Sequence, residues 1–162
     1  MAEYNLGFSD NLIRAAQFVA NSDDQSEDAA RTVLYLSCLA CEIALKALLE
    51  FSGKPVGEIT KLSHNLAALL KELGECKVEV PIVKDFLAWV PATRLRAVTV
   101  DNRFANATVG AILSAEEEGA SKYPNEIRYG SVIRHYPHQL VLETAVKVAD
   151  WAKKHSGKIV YK

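Results

Sequence analysis

The sequence predicts an all-α protein, an up-and-down bundle of about five helices, and three observations carry that expectation. The run AARTVLYLSCLACEIALKALLEF, Ala29 to Phe51, is apolar nearly all round and is interrupted in its middle only by Glu42 and Lys46. A helix with that much apolar surface has to be covered on most sides by other elements. Leu66, Leu69, Leu70 and Leu73 then form one stripe at helical spacing, and Leu140, Val141, Ala145, Val148, Ala149 and Trp151 form another. A chain of 162 residues is the size of one domain, and a domain of that length buries about two thirds of the surface its unfolded form exposes. A single unit over residues 1–162 is therefore expected.

The elements follow in order. Leu12, Ile13, Ala16, Phe18 and Val19 recur at helical spacing behind Ser9 or Asp10, either of which can cap, so a first helix is expected over about residues 11–20. The long second helix is expected over about residues 27–52. Asp24 or Ser26 caps it, Glu27 and Asp28 suit the positive end of its dipole, and Gly53 and Pro55 stop it. A third helix, residues 63–73, starts at Ser63 or Asn65 and ends at Gly74, antiparallel to the second. Pro81 suits the first position of a fourth, running to about Val90 with Ile82, Val83, Phe86, Leu87 and Val90 on its buried side. Residues 92–134 are the least regular stretch, punctuated by Gly110, Gly119, Pro124 and Gly130, with short helices expected near residues 93–100 and 111–118. The last helix starts at Pro137 and reaches Lys154. The tail GKIVYK reads equally as frayed chain or as a short strand-like clip.

Composition narrows the setting. Glu42, Lys46 and Glu50 break the longest apolar run, and the first seven residues lack the basic start and apolar stretch of a signal peptide, so a cytoplasmic protein without membrane segments is expected. Three cysteines, an odd number, argue for reduced thiols. Cys38 and Cys41 spell C-x-x-C, but among Leu and Ala, with no second pair to complete a zinc site, they read as core residues. No metal and no cofactor is predicted. Charge is uneven: residues 1–76 carry 6 basic and 11 acidic groups, residues 77–162 carry 13 and 9, and five of the seven arginines (Arg94, Arg96, Arg103, Arg128, Arg134) lie in one stretch. The planar guanidinium suits phosphate, although such charges also serve as solvated surface or in self-association.

CLACEIALKALLEFSG followed by LSHNLAALLKEL, with the Tyr-Pro element in KYPNEIRYG, resembles the HEPN family, the higher eukaryotes and prokaryotes nucleotide-binding domains. Glu42, Lys46 and His64 sit where that pattern puts a Glu, a Lys four later and a His near the start of the next helix. Lys122 stands where an Arg usually precedes the Tyr-Pro. The resemblance implies a bundle of about five helices, commonly a homodimer, and one of two functions. Some members are metal-independent ribonucleases marked by an Arg followed after four to six residues by His. Others are nucleotide-binding or partner modules beside a nucleotidyltransferase.

Arg128 and His135 have that spacing, which makes them the candidate catalytic pair. Metal-free RNA cleavage needs a base for the 2′-hydroxyl, an acid for the leaving oxygen and positive charge for the phosphorane; His supplies the first two near neutral pH and Arg the third. Arg134, Arg94, Arg96, Arg103 and Tyr129 are the candidate phosphate or ligand contacts. Glu42, Lys46 and His64 form a candidate polar cleft, or else a plain ion pair with a histidine packed near the loop. Pro137 and Gly130 disfavour a continuous helix from Arg128 to His135, and Tyr129 departs from the polar residue usual after the family's Arg.

Overall fold

The computed structural model describes residues 2–101 and 106–162. It corrects the fold class: the molecule is mixed α/β, with a three-stranded antiparallel sheet and a two-stranded one beside its helices. Helix α1 (Leu6–Ala20) starts earlier than expected because Asn5, rather than Ser9 or Asp10, caps it, its side chain accepting from the Gly7 N–H at 2.7 Å. Ser9 is instead buried and donates to the Ala40 carbonyl at 2.9 Å. That bond, with Ala16 and Ala40 also fully buried, fixes α1 closely against α2 (Glu27–Phe51). The Ala29 N–H donates to the Ser26 hydroxyl at the start of α2. By length and composition α2 would suffice to cross a bilayer, but 72% of its apolar window is buried inside the fold, covered by α1 and by the helices Leu66–Leu73 and His138–His155.

The expected third helix, over residues 63–73, starts later than expected, and a short helix that the sequence reading does not include precedes it. Residues 56–61 form a separate short helix, α3 (Val56–Lys61), and α4 (Leu66–Leu73) begins only after Asn65, whose side chain accepts from the Ala68 N–H at 2.8 Å. Between them Ser63 adopts a left-handed conformation, φ 52°.

The helix expected from Pro81 to Val90 is a β-hairpin. Strand β1 (Cys76–Val83) pairs antiparallel with β2 (Phe86–Pro91). The apolar positions that mimic a helical face are mostly β-branched or aromatic, which favours strands, and Lys84-Asp85 makes the turn with Asp85 at φ 70°. Pro81 fits because its missing N–H costs no ladder bond. Glu79 N–H donates toward the Lys158 carbonyl on the β5 side, so Pro81, two residues on, faces that same side beyond the end of the pairing. The tail is β5 (Ile159–Tyr161), added to the other edge of β1.

The irregular stretch contains a 3₁₀ turn (Ala92–Ala97), the small sheet of β3 (Thr99–Asp101) and β4 (Asn106–Thr108), then α5 (Val109–Leu113), a second 3₁₀ turn (Ala115–Glu118) and α6 (Asn125–Tyr129). Helix α7 (His138–His155) closes the core against α2 and α1. Its last residue, His155, is buried with Nδ1 unpartnered and stacks on Trp151 at 4.3 Å.

Candidate functional site

Glu42 lies on the middle of α2 with its carboxylate buried, and three side chains from three parts of the chain converge on it. Lys46 Nζ, one turn on, donates at 2.8 Å. Tyr123 OH, from the segment before α6, donates at 2.8 Å. His64 Nδ1 lies 3.0 and 3.1 Å from the two carboxylate oxygens. The left-handed Ser63 and the Asn65 cap turn His64 toward α2 just before α4 begins. The structure thus joins all three residues of the expected polar cleft and adds Tyr123 from the Tyr-Pro element.

Burial alone would raise the Glu42 pKa, but the hydrogen bonds from Lys46, His64 and Tyr123 outweigh it and hold the carboxyl below its ordinary value. An ionised carboxylate only accepts hydrogen bonds, so His64 Nδ1 carries the proton and donates. Whenever that ring is neutral, its lone pair lies on Nε2. The His64 side chain is 54% exposed, whereas its partner is buried. An internal carboxylate that orients an accessible imidazole is the arrangement general-base chemistry uses. Tyr123 serves differently: burial and the neighbouring Glu42 charge push its phenol far above the ordinary range, so it stays protonated as a donor.

Two aromatic rings carry the site outward. His64 meets Tyr123 edge-on at 6.2 Å between ring centres, and Tyr123 meets Tyr35 at 5.8 Å. The exposed guanidinium of Arg128 lies 4.9 Å from the Tyr35 ring and donates to its hydroxyl. Tyr35 occupies the same face of α2 as Glu42, seven residues earlier. No known family model, curated protein or solved structure matches this chain.

Arg128 and His135 do not touch. The Arg128 side chain turns onto Tyr35, whereas His135 faces a cavity of about 230 Å³ lined by Glu27, Ala30, Arg31, Leu34 and His138. His135 Nδ1 accepts the Tyr136 N–H at 3.0 Å, and burial lowers its pKa. Arg134 is exposed at the surface, its main chain paired with Ser121. Tyr129 is exposed beside Arg128. Arg94 and Arg96 are exposed on the first 3₁₀ turn, where Arg96 borders a cleft with Asn65 and Lys71. Arg103 lies outside the described residues. Of the buried thiols, Cys38 is pushed well above its ordinary pKa and Cys41 up to about 12, chiefly by burial, consistent with core cysteines rather than nucleophiles.

The residues that sequence reasoning missed are Tyr35 and, as a donor to Glu42, Tyr123. The face shared by Tyr35 and Glu42 was readable from their spacing on α2. Arg31, four residues before Tyr35, was missed too; its Nη1 donates to the carbonyls of Ile127 at 3.2 Å and Gly130 at 3.0 Å, holding the α6 turn. Gly130 ends that turn with its N–H on the Glu126 carbonyl at 2.8 Å, and a Cβ there would stand 2.3 Å from the same oxygen. Gly130→Ala is expected to destabilise the fold by about 1–3 kcal/mol and to displace Arg128 from Tyr35. Chemical denaturation reads the first effect and tyrosine fluorescence the second.

Burial also sets a pH response. It lowers the pKa values of His135, His138 and His155, with Lys154 and Lys158 adding to the effect at His155. The unfolded chain, whose histidines titrate near 6.5, then binds more protons than the folded one. The associated stability is present above that pH and falls as pH drops through it toward the folded values. The melting temperature is expected to decline between pH 7 and 5, and His155→Phe to flatten the decline.

Proposed function

We propose that the face made by His64, Tyr123, Tyr35 and Arg128 binds the phosphate backbone of RNA, and that His64 carries the proton in metal-independent cleavage. The observation that carries this reading is the pairing of buried, ionised Glu42 with exposed His64 beside a ledge of two tyrosines and an arginine. His64 Nε2 takes the 2′-hydroxyl proton as the 2′-oxygen attacks phosphorus. The bond to the 5′-oxygen breaks, and that oxygen takes the proton back from the His64 imidazolium. The products are a 2′,3′-cyclic phosphate and a free 5′-hydroxyl. Arg128, beyond Tyr123 and Tyr35 from His64, pairs with a neighbouring phosphate of the backbone, and the part-exposed Tyr35 ring gives a base a face to stack on. Nearby carboxylates are partly occupied by the main chain: Glu116 accepts the Tyr123 N–H at 2.6 Å and Glu126 the Lys122 N–H at 2.8 Å.

The HEPN resemblance supports the substrate class, and the geometry favours His64 over His135 as the base. Both assignments meet one experiment, with single-stranded RNA at low salt in the presence of chelator. His64→Ala is expected to abolish cleavage while binding persists, and Arg128→Ala to weaken binding about tenfold and lower the salt slope by about one. His135→Ala is expected to leave both nearly intact. Loss of cleavage in His135→Ala but not in His64→Ala would transfer the base role to His135. Failure of the unmodified protein to bind RNA at low salt would end the reading and leave a non-catalytic module.

A further inference from the structure

The β1–β2 hairpin has a side that nothing described covers. In the order β2-β1-β5, strand β2 is an edge. Because Glu79 N–H points to the β5 side, Val78 and Val80 make the β1 bonds to their β2 partners, Val90 and Ala88. The alternate residues Leu87 and Trp89 therefore direct their N–H and C=O groups outward along the free edge. Pro91, next in that series, has no N–H to offer and ends it. The strand FLAWVP contains no charge, so its middle lacks the lysine with which exposed edges commonly block pairing. Ile82, Val83, Phe86, Leu87 and Trp89 are 49–71% exposed.

We propose that this edge pairs with the same strand of a second copy, antiparallel about a two-fold axis through Ala88. Only self-pairing of the same patch satisfies a two-fold contact, and this register fits the edge well. Leu87 of one copy stands opposite Trp89 of the other, so each donates to and accepts from its partner, and an apolar side chain faces an aromatic one. Pro91 falls opposite Asp85 of the second copy, outside the bonds that need its N–H. The Asp85 turn of each copy then lies alongside the Pro91 end of the other, with Lys77 on the strand beyond it, so unlike charges lie two strands apart. On the edge strand itself Phe86, Leu87 and Trp89 are 71%, 58% and 49% exposed, so its large side chains as well as its backbone are left for a second copy to cover. The resulting sheet has six strands, with β5 at each end. This assembly rests on the hairpin alone and stands or falls separately from the RNA reading.

Sedimentation equilibrium and disulfide trapping test it. The unmodified protein is expected to be a dimer in the micromolar range. The double variant Leu87→Lys/Trp89→Lys is expected to raise the dissociation constant about 100-fold or more with an unchanged circular dichroism spectrum. Across the two-fold axis the residues at position 88 form a non-hydrogen-bonded pair with Cα atoms about 4.5 Å apart, within disulfide range. Ala88→Cys is therefore expected to give a covalent dimer with oxidised glutathione. Phe18→Cys, on the exposed side of α1, is expected to give none. A protein that is monomeric throughout would overturn the proposal and leave the edge to some other chain. So would a dimer that survives the double variant and does not cross-link at position 88. Should the double variant fail to fold, the Ala88→Cys result decides alone.

Discussion

Glu42→Ala is expected to cost about 3–5 kcal/mol of folding free energy. The reason is what remains behind. Lys46 is nearly as buried as Glu42, and among the described residues its ammonium otherwise meets only the Tyr4 ring, 5.4 Å away. Without the carboxylate, its ammonium is an uncompensated charge inside the fold, and the Tyr123 hydroxyl loses its acceptor. The loss should therefore be recovered in large part when the charge leaves too: Glu42→Leu with Lys46→Leu is expected to be far closer to the unmodified protein than Glu42→Ala alone. Urea denaturation measures both. A single-variant cost below about 1 kcal/mol, in the range of exposed ion pairs, would show that water reaches this cluster and that His64 is not held by a buried carboxylate.

Lys54→Met is expected to cost about 2–3 kcal/mol, and its effect is local. Lys54 is 6% exposed, and its ammonium donates to Glu72 at 2.6 Å, Glu58 at 3.0 Å and the Tyr161 hydroxyl at 3.1 Å. Burial alone would lower its pKa; the bonds to Glu72, Tyr161 and Glu58 overcome that and raise it. The same Tyr161 donates its hydroxyl to Glu72 at 3.0 Å and its N–H to the Ser52 carbonyl at 2.8 Å. Methionine keeps the stem's packing but strands the half-buried Glu72 and frees one side of β5. Amide exchange at Ile159–Tyr161 should quicken well beyond the global change. Unaltered protection there would mean that the β1 ladder alone holds the strand.

What could be read from the sequence divides according to how local its causes are. Helix α2 was legible because its apolar run, its Ser26 cap and the Gly53-Pro55 stop all act within the segment. Helix α7 was legible for similar reasons. The hairpin was not. Ile82, Val83, Phe86, Leu87 and Val90 satisfy a helical period, and the deciding fact, that Cys76–Val78 pairs with residues 159–161, lies at the far end of the chain. At the site, the three residues that the family-like pattern groups, Glu42, Lys46 and His64, meet at one carboxylate. Tyr35 carries no signature beyond its position on the same face of α2. The separation of Arg128 from His135 has a visible origin in Gly130 and Pro137, which end α6 and delay α7.

Both ends of the described chain fasten to one stretch of α2. The N–H groups of Glu3 and Tyr4 donate to the Glu50 carboxylate at 2.8 and 2.9 Å, and Tyr161 donates to Ser52 just beyond the helix. A stretching force applied between the two ends would thus load a pair of neighbouring clamps. Little of the tension would pass through the packed interior. The molecule should yield at low force by peeling from its extremities, and the Glu42 cluster would be among the last parts to feel the pull.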